Sequence, residues 1–175
     1  MKKIALVFIF IALLFSCKKI DKLTQFDMDY DSSVTVESTF GVNIPFNIYT
    51  PDISTSSEST FESNDTRKDL IESINLKSMT MTISDPSGDD FSFLKSIEIY
   101  ISADGLSDIK IASKDNIPDN TTELKLDVSN TDLKEYIKKD SFKLKITTTT
   151  DEVLTHDYTI DIHSVFFVDA KILGV

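Results

Sequence analysis

The chain of 175 residues carries 18 lysines and arginines against 29 aspartates and glutamates, a formal net charge of −11. Nucleic-acid binding rests on basic residues that neutralise phosphates, and attraction to anionic lipid headgroups needs them too, so this acidity excludes both as modes for the protein surface. One cysteine leaves no partner for a disulfide, and the length suits one core that is stable by packing.

The first element is an export segment. Met1-Lys2-Lys3 is a short positive stretch, Ile4 to Phe15 is apolar throughout, and Ser16 and Cys17 follow. As a helix the apolar run spans about 18 Å, short of the roughly 30 Å hydrocarbon core of a bilayer, which favours a cleaved signal over a permanent span. The apolar run ends in Leu14, Phe15, Ser16 and Cys17, which resembles the lipobox of bacterial lipoproteins, with Phe15 a departure from the usual smaller residue. The resemblance covers residues 1–17. It implies cleavage before Cys17, a diacylglycerol thioether on that cysteine and usually fatty acylation, such as palmitate, of the new amine. Several acyl chains hold firmly, at about 0.8 kcal/mol per buried CH₂. Lys18 and Lys19 stand where an inner-membrane retention aspartate would, and Lys18 to Lys22 is not an acidic surface-export cluster. The expected location is therefore the outer membrane, anchored by lipid on its periplasmic face.

The expected organisation is a signal peptide over 1–16, a lipidated cysteine and tether over 17–25, and one domain over 26–175. In the domain the dominant period is two. Phe26, Met28, Tyr30, Val34 and Val36 share a face opposite Asp27, Asp29, Asp31, Thr35 and Glu37. Val42, Ile44, Phe46 and Ile48 alternate again, and Pro45, which cannot donate to a ladder, predicts an edge strand or bulge. Asp52 to Asn64, rich in Ser, Thr and Glu, reads as a long exposed loop. Thr66-Arg67-Lys68-Asp69 fits a helix start, with Leu70, Ile71 and Ile74 on one side of a short helix. Leu76 to Ser84 reads as a strand ended by Asp85-Pro86-Ser87-Gly88. Further strands are marked by Ile97, Ile99 and Ile101, by Ile109 and Ile111, and by Leu124, Leu126 and Val128. A second helix is predicted from Asp132 to Lys139. Phe142, Leu144 and Ile146, then Leu154 to Ile162, alternate on either side of a turn and read as a hairpin. Val165 to Val168 is apolar on both faces.

Eight or nine short strands with two brief helices predict a mainly β fold, a two-sheet antiparallel β-sandwich. It resembles immunoglobulin-like domains by pattern alone, since there is no tryptophan for a Cys…Trp…Cys signature.

Each constellation that could carry chemistry has a plainer explanation. Asp27, Asp29 and Asp31 lie about 7 Å apart along a strand face, tolerable for an acid and base pair but also an ordinary solvated face. Asp85, Ser87, Asp89 and Asp90, like Asp115, Asn116, Asp119 and Asn120, lack the spacing of a calcium loop. His156 sits among apolar strand residues, and His163 has no cysteine with which to complete a zinc set. There is no G-x-S-x-G elbow, and four glycines leave no phosphate-binding loop. Between the inward Ile99 and Ile101, Tyr100 stands toward solvent or a partner, with packing in the core or on the sheet face as the plainer explanation. The reading is therefore a non-enzymatic envelope lipoprotein with no cofactor and no metal. Cys17 is its only assigned site residue, a protein is its expected partner, and the module is protein-binding or structural. The alternatives are a small-ligand, glycan or calcium-binding module and a carboxylate-dependent hydrolase.

Overall fold

A computed structural model describes residues 25–39 and 41–171. Their strands form two antiparallel sheets that face one another, as the period of two requires. The strands are β1 (Gln25–Val36), β2 (Phe46–Tyr49), β3 (Ile53–Ser54), β4 (Ile71–Asp85), β5 (Leu94–Ser102), β6 (Ile109–Asp115), β7 (Glu123–Lys125), β8 (Asp127–Val128), β9 (Ser141–Thr150) and β10 (Tyr158–Ala170). One sheet runs β1-β10-β4-β7. The other runs β2-β9-β5-β6-β8, with β3 also paired to β9. The domain is thus a mainly β, two-sheet antiparallel β-sandwich with two short helices.

The core lies between the sheets. Met28, Tyr30, Val34 and Val36 of β1 and Ile160, Ile162, Phe166 and Val168 of β10 are buried, as are Ile97, Ile99 and Ile101 of β5 and Phe142, Leu144 and Ile146 of β9. Tyr30 and Phe166 of one sheet meet Phe142 of the other, with ring centroids 5.3 to 5.9 Å apart in edge-on geometry. Such pairs contribute about 0.5–1.5 kcal/mol each beyond their buried area. The Pro45 expectation holds, because β2 is an edge strand that begins one residue after it.

Four local expectations are corrected. Residues 52–64 are not a plain loop: they carry β3 and helix α1 (Ser57–Ser63), whose Phe61 is fully buried and packs edge-on to Phe26 at 6.3 Å. In this hydroxyl-rich helix Thr60 and Ser63 donate back to the carbonyls of Ser56 and Ser59, at 3.0 and 2.8 Å, and Asn64 donates to Thr60 O at 2.9 Å; such bonds satisfy the side chains without favouring the helix, which the burial of Phe61 holds in place.

The helix expected after Thr66 is a single 3₁₀ turn at Lys68–Leu70, and Ile71 already belongs to β4. β4 carries two bulges in its first half, and the first causes the misreading. Against β10 the register slips between Asp169 and Ala170 and between Val165 and Phe166, so Glu72 and Lys77 are extra residues. Each insertion turns an inward spacing of two into three; at Ile71 to Ile74 this imitates a helix, whereas the segment holding Leu76 and Met79 still reads as a strand.

The predicted hairpin of residues 142–162 is also absent. β9 lies in the six-stranded sheet and β10 in the four-stranded one, so the turn between them crosses the sandwich. Residues 124–128 likewise divide, with β7 pairing β4 and β8 pairing β6 on either side of buried Leu126. Alternation reports which face of a strand is buried, not which sheet holds it.

The second helix, α2 (Lys134–Ile137), lies where expected and buries Leu133, Tyr136 and Ile137.

Candidate functional site

Strand alternation sets Asp27, Asp29 and Asp31 on the outer face of the four-stranded sheet, opposite Phe167, Val165 and His163 of β10. Asp27 pairs with Lys77, the extra residue of the second bulge. His163 Nδ1 lies 2.7 Å from Asp31 Oδ1, and its Nε2 lies 3.8 Å from Asp29 Oδ1. Beside them is a shallow depression of about 530 Å³, lined by residues that include Asp31, Thr80, Asp161 and His163. Glycosidic chemistry needs two carboxylates converging on one bond in a cleft. These carboxylates instead stand side by side on an open sheet, with Asp31 85% exposed.

The loop candidates are engaged by their own chain. Asp90 accepts from Ser92 N at 2.8 Å, and its hydrogen bonds to Ser92 hold the carboxyl below its ordinary range. Asp89 Oδ2 lies 3.1 Å from His156 Nε2, and Thr155 Oγ1 lies 3.0 Å from His156 Nδ1. This places a hydroxyl, an imidazole and a carboxylate in line. The imidazole and carboxylate are 42% and 38% exposed, and the His156 ring lies 4.6 Å from Tyr158. Burial, then the charge of Asp89, pushes the Tyr158 phenol up. The geometry pins the turn after β4 onto the start of β10. In the other polar loop, Asn120 N donates to Ser92 Oγ at 2.9 Å. Among the described residues no group of three or more His, Cys, Asp or Glu is placed to hold a metal ion.

The outer face of the six-stranded sheet carries a row that crosses four strands: Tyr49, Lys145, Tyr100 and Lys110 are successive register partners on β2, β9, β5 and β6. The Tyr100 hydroxyl donates to Glu98 Oε2 at 2.8 Å, which pushes that phenol up, and Lys110 reaches Glu98 Oε1 at 3.0 Å. Lys145 Nζ lies 5.3 Å from the Tyr100 ring centroid. Tyr49 is 56% exposed. The expectation that Tyr100 turns away from the core holds. Nothing in the sequence sets Tyr49 apart from the other tyrosines, which packing explains; only the register brings it into line with Tyr100.

Cys17 lies outside the described residues. Among the described residues no helix is long and apolar enough to cross a membrane.

No known protein family matches the chain, and no curated protein sequence is detectably similar to it. Among solved structures it is similar to a chain of desmodium yellow mottle tymovirus, with 13% identity and a TM-score of 0.32 over 86% of this chain and 85% of that one. A chain of turnip yellow mosaic virus matches with 13% identity and a TM-score of 0.30 over 86% and 97% of the two chains. A third similar structure comes from work on the promiscuous specificity of carbohydrate-binding modules of the β-sandwich superfamily, with 16% identity and a TM-score of 0.26 over 84% and 55%. Likeness at these values carries no argument about function.

Proposed function

We propose that this chain is a lipid-anchored envelope protein that works without catalysis, holding its β-sandwich beside a membrane as a protein-binding or structural module. The observation that carries the reading is the position of the single cysteine, Cys17, directly after an apolar run headed by two lysines and closed by Leu14-Phe15-Ser16. Lys18 and Lys19 favour the outer membrane, and the absence of an acidic cluster after Cys17 favours its periplasmic face. The open placement of Asp27, Asp29 and Asp31 and the exposed setting of His156 give further support to a role other than catalysis. Metabolic labelling with an alkyne fatty acid tests the anchor. The protein is expected to take the label, and Cys17→Ala is expected to lose it; an unlabelled protein, or one labelled equally after the substitution, overturns the reading. Protease shaving of intact cells, expected to leave the domain uncut, tests the periplasmic face.

A second reading is a glycan-binding module, favoured by the Tyr49 to Lys110 row. Tyr49 and Tyr100 stand two strands apart, roughly 9.6 Å, with hydrogen-bonding side chains around them. Calorimetric titration against a glycan panel, repeated with Tyr49→Ala, tests it. Heat that is absent, or unchanged in the variant, counts against it.

A further inference from the structure

β1 is the outermost strand of the four-stranded sheet, paired only with β10 among the described residues. In an antiparallel edge strand every second residue turns its N–H and C=O away from the partner. Among the described residues the backbone of β1 makes no hydrogen bond outside its ladder with β10. Twelve residues without proline or a register shift make this a long, regular edge whose only charged side chains are Asp27, Asp29 and Asp31.

A slot runs beside it. Two depressions, of about 430 and 320 Å³, share Asp29, Tyr30 and Ser54 and together follow β1 from Asp27 to Ser33, about 23 Å of strand. Residues 51–56 form the opposite wall. The two walls are tied at the buried Tyr30, whose hydroxyl donates to Thr55 O at 2.8 Å. Both depressions are partly open to solvent.

Charge decides what fits. Asp27, Asp29 and Asp31 alternate along this strand, and the side chains of Asp29 and Asp31 remain 59% and 85% exposed despite His163. A second copy of β1 laid antiparallel on the first would set these aspartates against each other, and like charges directly opposite destabilise a pair. A strand with lysine or arginine at alternate positions gains attraction at the same places. Its intervening side chains would face Ser54, Thr60 and neighbouring small groups of the slot, which suits threonine or serine.

We propose that β1 is the docking edge of this domain, accepting an extended peptide segment of a partner protein, basic at alternate positions, as a fifth strand of the sheet. The proposal rests on the protein-binding reading and names the chemistry of its partner.

The probe is a synthetic peptide of roughly ten residues that alternates lysine with threonine, matched by a glutamate-threonine peptide and by a lysine-threonine peptide interrupted with a central proline. Binding to the full chain is followed by fluorescence anisotropy, and amide hydrogen exchange locates it. The uninterrupted basic peptide is expected to bind and to slow exchange in residues 27–33 by about tenfold. The acidic and the proline peptides are expected not to. The double variant Asp29→Asn/Asp31→Asn, altered only at exposed positions, is expected to bind about tenfold more weakly at an unchanged melting temperature. Absence of binding, binding that leaves exchange in β1 unaltered, or equal binding of the proline peptide overturns the proposal. A photocrosslinker placed at Ser33 and, separately, at Ser113 on the other sheet keeps the two readings apart in intact envelopes. Protein captured from Ser113 alone overturns the docking edge and leaves the protein-binding reading standing, whereas capture from neither position overturns that reading.

Discussion

Asp132 Oδ1 accepts main-chain hydrogens from Ile74 at 3.0 Å and from Lys134 at 3.1 Å, so one carboxylate ties β4 to the first turn of α2. Burial pushes its pKa up, but the hydrogen bonds from Ile74 and Lys134 outweigh burial and hold the carboxyl below the ordinary 3.8. Asp132→Ala leaves both amides without this partner and is expected to cost about 1–2 kcal/mol at neutral pH by urea denaturation. Because the folded value is the lower one, the stabilisation is full above 3.8 and fades as pH falls through the folded value. The gap between wild type and variant should therefore narrow in strong acid, where only the hydrogen bonds of the neutral carboxyl remain, and a gap equally wide there would show that charge plays no part. Tyr30→Phe removes the hydroxyl that reaches Thr55 O and should cost about 1 kcal/mol in the same assay. The exposed ion pairs, such as Arg67 with Asp69 and Lys125 with Glu123, contribute little by comparison.

At the scale of elements, the sequence was legible wherever a strand buries one face without interruption. The inward residues of β1, β5 and β9 follow directly from their alternation, because hydrophobic burial is imposed residue by residue along a pleat. It was illegible where one extra residue breaks the pleat at the start of a strand, as Glu72 does in β4, because a spacing of three belongs equally to a bulge and a helix. It was illegible again at α1, where one buried aromatic among seven residues gives no period and a hydroxyl-rich composition favours turns and caps over helix. Of the features that make up the docking edge, the aspartate alternation could be read, whereas the slot opposite it depends on β3, which lies within the segment read as loop. Phe61 anchors that segment. Phe61→Ala should destabilise the domain by about 3–5 kcal/mol in urea unfolding, the range for truncating a buried phenylalanine. A loss below about 1 kcal/mol would mean that the site collapses to fill the space and that α1 is not fixed by this ring.

For the whole molecule, the connections matter more than the strands they join. β10 lies between β1 and β4, so the last described strand must insert beside the first described one before the four-stranded sheet exists. β9 and β10, adjacent in sequence, enter different sheets, and the chain switches again between β7 and β8. Neither sheet can then bury its inner face without most of the chain in place, and the contact of Tyr30 and Phe166 with Phe142 makes each sheet's packing conditional on the other. Such non-local topology predicts slow folding, on the order of milliseconds to seconds, because the entropy of closing long loops is lost before the contacts that compensate it form. It also predicts one cooperative transition. In urea, the far-ultraviolet signal of the strands and the near-ultraviolet signal of the tyrosines should trace the same curve with a single midpoint. Two separated midpoints would show that one sheet holds together without the other, which the path of β10 through the centre of the four-stranded sheet forbids if the sheets share one core.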